Sequence, residues 1–174
     1  MKVIVDNGIK SVKEIIPLLN GFEAIELIFL NSSDFNNSNI KDADALLIRS
    51  TVQINEALLV DTNVHFIGSA TAGIDHMDTD YLNKKNIKWF YAAGCNGLSV
   101  SNYVMSSICF LMENNIFNSD NSVGIIGYGN VGKQLKKALD YFSIKNFVYD
   151  PFLHFDFLSN LELVKNCDLI SLHV

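Results

Sequence analysis

Val123-Gly124-Ile125-Ile126-Gly127-Tyr128-Gly129-Asn130-Val131-Gly132 joins an apolar run to a set of spaced glycines. The run before Gly127 is short enough for a buried strand. Gly127, Gly129 and Gly132 take the G-x-G-x-x-G spacing. Val131, Leu135, Ala138, Leu139 and Phe142 follow at helical spacing, so the glycines fall at a strand-to-helix turn. The first glycine permits the tight turn, the second lets a pyrophosphate approach the backbone, and the third lets the helix close on the strand. Free N–H groups and the dipole at the helix start favour bound phosphate. Asn146-Phe147-Val148-Tyr149-Asp150 reads as the next strand, ending in an acid. A carboxylate at that distance accepts hydrogen bonds from a ribose diol. Strand, turn, helix and distal acid in this order point to a dinucleotide. A glycine-rich turn in an unrelated α/β domain is the competing reading.

The chain around this stretch has 174 residues, of which 49% are hydrophobic and 18% charged, so it can bury a core. The formal net charge of −6 argues against a nucleic-acid surface. Cys95, Cys109 and Cys167 are odd in number and widely spaced, with no C-x-x-C. Neither a disulfide framework nor a zinc site is implied, and reduced thiols in the cytoplasm are expected. Met1 to Asp6 alternates like a strand and lacks a signal-peptide layout. No apolar run is long enough to cross a membrane.

Upstream of the glycines, Lys2–Asp6, Ala24–Leu30, Ala43–Ile48, Val64–Gly68 and Ile87–Tyr91 read as five strands. Val12, Ile15, Ile16 and Leu19 form a helical face, and the Asn- and Ser-rich stretch Asn31 to Asn39 reads as an exposed loop. Strands alternating with helices imply a parallel sheet covered on both faces. Ligands of such sheets collect at the carboxyl ends of strands, where Arg49, Ser50, Thr71 and Gly73 fall. Leu98 to Glu113 is the longest helical segment, with Val100, Tyr103, Val104, Ser107, Ile108 and Leu111 on one face. It is expected to open a second domain, giving domains at 1–97 and 98–174. Leu158–Lys165 reads as a short helix and Asp168–Leu172 as the third strand of that domain. With strands in the order of one Rossmann half, the edge of Val123 to Ile126 is expected to lie open.

The order of strand-rich half, Ala72-Gly73-Ile74-Asp75-His76-Met77-Asp78, long helix, glycine turn and Asp150-Pro151 resembles the D-isomer-specific 2-hydroxyacid dehydrogenases. Leu47-Ile48-Arg49-Ser50, Gly68 to His76 and Ala93-Gly94-Cys95-Asn96 carry a closer match to one branch of that family, which acts on a phosphorylated hydroxyacid. The resemblance implies an α/β fold: a flavodoxin-like substrate domain, then the first half of a Rossmann NAD-binding domain. It implies NAD as cofactor, a small phosphorylated hydroxyacid as substrate, and a homodimer without nucleic-acid or membrane partners. Ser50 and Thr71 match positions that contact substrate. Asn130 and Val131 match the turn that holds the cofactor phosphates, and Asp150 matches the acid on the adenosine ribose. Val174 falls where the family lines the nicotinamide side, commonly with Thr. Asn102 stands where a Glu is usual, and Asn7-Gly8 where the family is more acidic. The family's proton-transfer His, its assisting Glu and its carboxylate-binding Arg follow the third nucleotide strand. None of them is therefore expected within residues 1–174, and this chain alone is expected not to turn over.

Several other residues carry chemistry of their own. Arg49 can fork onto a carboxylate or phosphate, or pair locally at the surface. Asp78 is placed to N-cap the helix through Leu82, and His76 to pack or orient its turn rather than bind metal. His173 and Tyr128 are read as structural, and His65 and His154 as ordinary. Cys95 lacks an evident activating base. Besides a dehydrogenase, the residues admit a non-catalytic NAD(H)-sensing protein, a dehydrogenase of another D-2-hydroxyacid, or an inert remnant or fragment of such an enzyme.

Overall fold

A computed structural model describes residues 1–15 and 24–174. These divide into two compact units, Met1–Ala93 and Gly94–Val174. The division falls before Gly94 rather than after Gly97 because the backbone of both glycines packs on Asn130 of the second unit.

The first unit is a five-stranded parallel sheet of β1 (Lys2–Asp6), β2 (Glu26–Leu30), β3 (Ala45–Ile48), β4 (Phe66–Ser69) and β5 (Lys88–Tyr91). Its order is β2-β1-β3-β4-β5, the flavodoxin-like order, which reverses between β1 and β3. Alternation along the strands builds two cores. Ile4, Leu46, Ile48 and Ile67 face one, with Leu58 and Leu59 of α3 (Glu56–Leu59) and Tyr81 and Leu82 of α4 (Thr79–Lys84). Val3, Val5 and Ala45 face the other, beside Val12 of α1 (Val12–Ile15). The Ile16 and Leu19 positions of the expected helical face lie outside the described residues. β1 begins at Lys2 as expected, and β2 to β5 each begin one or two residues later than their apolar runs.

The Asn/Ser stretch is not a plain loop. Ser32–Asp34 forms a 3-10 turn, and α2 (Asn37–Ile40) is capped by the Asn36 side chain, which accepts from the Asn39 N–H. Asn37 Nδ2 donates to the carbonyls of Leu58 and Val60, closing α2 onto α3. Amide side chains do here what an apolar stripe does elsewhere, so periodicity misses these elements.

The second unit opens with α5 (Gly97–Glu113), which packs along α6 (Asn130–Tyr141). Ile108, Phe117, Val123, Ile125, Leu135, Leu139 and Val148 form its core. Full burial of each such side chain stabilises by roughly 1.5–3 kcal/mol. Tyr103, expected on the inward face of α5, is 74% exposed, whereas Ser101 is buried in the inward row.

The strand order here corrects the sequence reading. β6 (Val123–Ile126) lies between β7 (Asn146–Tyr149) and β8 (Leu169–Leu172), all parallel. The edge of β6 is therefore not open. α7 (Leu161–Lys165) crosses β6 at Gly124, where a β-carbon would stand 2.8 Å from both Val164 Cγ1 and the Val164 carbonyl oxygen. The bare glycine lets a five-residue helix pass close to the strand, so β8 lands on the far side of β6.

Candidate functional site

Two groups of residues stand at carboxyl ends of strands in the first unit. At the β1/β3 reversal, Asp6 is fully buried at the end of β1. Its Oδ1 accepts from the Gly8 N–H at 2.8 Å, from Arg49 Nε at 3.1 Å and from Arg49 Nη2 at 3.0 Å. Its Oδ2 accepts from Ser32 Oγ at 2.9 Å. Ser32 Oγ also lies 2.8 Å from Thr51 Oγ1. Arg49 is thus neither a loose surface cation nor wholly consumed. Its side chain is 39% exposed, and among the described residues its bonds are donated from Nε and Nη2 and none from Nη1. The Gly8 backbone lies against the guanidinium, where a β-carbon would collide with it. Sequence alone does not mark Asp6 and Ser32, since a carboxylate at a strand end has no periodicity to betray a partner 43 residues away.

Burial pushes the Asp6 carboxyl up, but the Gly8 N–H, the Arg49 fork, the Ser32 hydroxyl and the Arg49 charge outweigh it and hold it below the ordinary value. The native state therefore favours ionised Asp6. Its contribution to stability is complete above about pH 4 and fades as pH falls through the lowered value. Asp6→Asn is expected to cost about 1–3 kcal/mol at pH 7. It should also flatten the acid side of the stability curve. Urea unfolding at pH 7 and at pH 3 measures both, and equal losses at the two pH values would contradict the assignment.

The second group follows β3 and β4. The register pairs Ile48 with Ser69, so Ser50 and Thr71 leave the same end of neighbouring strands, two residues on. Ser50 is exposed. Thr71 Oγ1 donates to the Gly73 carbonyl at 3.1 Å and lies 2.6 Å from Ser69 Oγ. Ser69 Oγ is in turn 2.9 Å from Nε2 of buried His76. Burial holds the His76 imidazole below its ordinary pKa, opposed by the negative charge of Asp75. Asp78 caps α4, accepting from the Tyr81 N–H at 3.0 Å.

In the second unit the three glycines divide their duties as their spacing implies. Gly127 has φ +96°, and a β-carbon on it would collide with the His173 carbonyl. Gly132 lies against the Gly127 carbonyl with the same result. A β-carbon on Gly129 would meet nothing within 4 Å, so space is open above the residue that caps α6. The N–H groups of Asn130, Val131 and Gly132 in the first turn have no intrahelical acceptor. This is a cradle for an anion at the start of a twelve-residue helix.

Asp150 stands just past β7 and is tied to the same turn. Its Oδ2 accepts from the Tyr128 N–H at 2.8 Å and its Oδ1 from the Phe152 N–H at 2.9 Å. These two bonds, in that order of weight, hold its carboxyl below the ordinary value. The Tyr128 ring packs against Phe157 at 5.1 Å and Phe155 at 6.2 Å. His173 donates its backbone N–H to Ile126, and its ring Nε2 lies 2.8 Å from Ser171 Oγ, a structural placement. Val174, 95% exposed, follows at the open end of β8, with its backbone nitrogen beside Gly127. Gly94, at φ +74°, passes over the Asn130 side chain, which explains a glycine in Ala93-Gly94-Cys95-Asn96. Cys95 is exposed and free. Among the described residues no group of His, Cys, Asp or Glu is arranged to hold a metal ion.

A glycine turn built for a phosphate, with an ionised acid beside it, defines a dinucleotide-binding α/β protein. Residues 3–172 match the family model described as D-isomer specific 2-hydroxyacid dehydrogenase, catalytic domain, and the chain belongs to that family. It is 40% identical over its whole length to an erythronate-4-phosphate dehydrogenase of Wigglesworthia glossinidia brevipalpis, and 37% identical to one of Shewanella violacea. It spans 46% of the former's length and 45% of the latter's. Among solved structures it resembles the NAD+-bound 3-phosphoglycerate dehydrogenase of Entamoeba histolytica, with TM-score 0.80 and 27% identity over all of this chain and 62% of that one. An NAD complex of the formate dehydrogenase of Staphylococcus aureus shares the fold, with TM-score 0.77 at 19% identity over all of this chain and 65% of that one.

Proposed function

We propose that this chain belongs to an NAD-dependent dehydrogenase that oxidises 4-phospho-D-erythronate to 2-oxo-3-hydroxy-4-phosphobutanoate, a step toward pyridoxal 5'-phosphate. The observation that carries the cofactor part is the open space over Gly129 at the start of α6, with Asp150 bonded to the Tyr128 N–H of the same turn. Whole-length similarity to the two erythronate-4-phosphate dehydrogenases supports the substrate. In this reading residues 1–97 bind substrate and residues 98–174 bind NAD. When bound, the nicotinamide supplies the hydride acceptor. Gly127, Gly129, Asn130, Val131 and Gly132 seat the phosphates, Asp150 takes the ribose diol, and the backbone of Val174 borders the nicotinamide side. Arg49, Ser50 and Thr71 hold the anionic ends of the substrate. No residue of 1–174 is assigned to proton transfer. A cytoplasmic homodimer completes the reading, and exposed Leu98, Tyr103 and Phe110 on α5 support a dimer contact.

Asp150 decides between the two nicotinamide cofactors. It is held ionised, and Pro151-Phe152-Leu153-His154 bring no Lys or Arg to offset a ribose 2′-phosphate. NAD is expected to bind well ahead of NADP. Titration of the intact dehydrogenase with both cofactors, and its NADH-forming assay with 4-phospho-D-erythronate, test the proposal, and equal affinity for the two would refute the role of Asp150.

Thr71→Val keeps the shape and removes the hydroxyl. Loss of one hydrogen bond to an ionised ligand costs about 1.5–3 kcal/mol. In the intact dehydrogenase Thr71→Val and Ser50→Ala should each raise the substrate KM while leaving NAD affinity alone. Steady-state kinetics of both variants check this, and unchanged kinetics in both would remove the site.

A further inference from the structure

His76 is a buried, titratable residue for which the proposed reaction has no use, yet it is wired to Thr71. The wiring has only one consistent direction. The Gly73 carbonyl can only accept, so at 3.1 Å it takes the single proton of Thr71. Thr71 then has no proton for Ser69, so the 2.6 Å bond between them is donated by Ser69. Ser69 has spent its own proton, so at 2.9 Å it can only accept from His76, whose Nε2 must carry hydrogen. The chain runs His76 Nε2–H to Ser69, Ser69 O–H to Thr71, and Thr71 O–H to Gly73.

We infer that His76 is a positioning residue that acts through Ser69 to make Thr71 an obligate hydrogen-bond donor toward an anionic ligand. Because Ser69 always donates to Thr71, the Thr71 proton must point away from Ser69. It rests on the Gly73 carbonyl and swings to a carboxylate or phosphate oxygen without disturbing the rest of the chain. With no N–H at position 76, Ser69 is free to accept from Thr71. Thr71 would then turn a lone pair toward the ligand and repel an anion. The wired chain therefore selects for an acceptor oxygen at this point and against a hydroxyl or amine that must itself donate. This inference rests on the reading of Thr71 as a substrate contact.

Two measurements separate the inference from that reading. A long-range 1H–15N correlation spectrum reports which His76 nitrogen carries hydrogen. A protonated Nε2 is expected, and a bare Nε2 overturns the inference whatever the substrate is. The second measurement is the KM of the intact dehydrogenase for 4-phospho-D-erythronate, with NAD affinity as a control for folding. H76F keeps an aromatic ring and removes the donor, which leaves Ser69 free to accept from Thr71, whereas S69A removes that competing acceptor. H76F is expected to raise KM about tenfold, as T71V does, and S69A far less, with kcat and NAD affinity little changed in all three. H76Q places an amide N–H near the Nε2 position and is expected to restore most of the binding that H76F loses. If T71V weakens substrate binding while H76F does not, or if S69A weakens it as much as H76F, the inference fails and the Thr71 site stands. If T71V has no effect either, both fall. If H76Q behaves like H76F, the donor is not what His76 contributes, and the inference fails.

Discussion

Gly127→Ala is expected to cost about 2–6 kcal/mol of stability, the sum of two penalties. The first is conformational. A left-handed backbone in an L-residue costs roughly 1–3 kcal/mol, and Gly127 sits at φ +96°. The second is steric. The new methyl collides with the His173 carbonyl, a backbone atom anchored by the His173 N–H to Ile126 bond at 2.7 Å, and overpacking of this kind costs about 1–3 kcal/mol. Neither neighbour can rotate away as a side-chain tip would. Gly129→Ala provides the contrast. Its φ is −79° and its methyl would meet nothing within 4 Å, so stability should barely change. The methyl would instead fill the space read as the phosphate seat, and NAD affinity should fall by at least tenfold. Urea denaturation and NAD titration of both variants make the comparison. If Gly129→Ala bound NAD normally, the phosphates would not lie over this turn.

These opposite expectations for two residues two positions apart show what is legible in the chain. The glycine turn was readable because each glycine answers a local demand of the backbone, and local demands leave a fixed spacing. Asp78 as a helix cap was readable for the same reason, since the capped N–H lies three residues on. The Asp6–Arg49 pair was not. It joins two strand ends that only the sheet order brings together, and each residue alone reads as an ordinary charge. Ser69 was passed over because a small hydroxyl at a strand end looks like any turn former. Its meaning comes from His76 on one side and Thr71 on the other. Tyr103 failed differently. Helical spacing placed it on a face that includes Ile108 and Leu111, but the inward row is set by what α5 meets along α6, and there the small Ser101 lies inward.

The placement of β8 beside β6 carries the other large prediction, at Gly124. The sequence shows this residue as a bare position in an apolar strand, which weakens a strand unless something approaches closely. What approaches is α7. A β-carbon at Gly124 would stand 2.8 Å from the Val164 carbonyl and 2.8 Å from Val164 Cγ1, with Cys167 Cβ at 3.4 Å. Gly124→Ala is expected to cost about 1–3 kcal/mol. Gly124→Val should cost more, since two further methyl groups point at the same short helix. The damage should be directional. α7 is the crossover that delivers β8, so lifting it loosens β8 from β6 before it loosens β7. Amide exchange is expected to show early loss of protection at His173, which donates to Ile126, and along Leu169–Leu172, with β7 protected longer. Val164→Ala added to Gly124→Ala removes the Cγ1 contact but leaves the carbonyl, so the double variant should recover only part of the loss. Full recovery would mean that the side chain alone sets the approach. Loss of protection confined to β7 would mean that the crossover does not run over β6 at all.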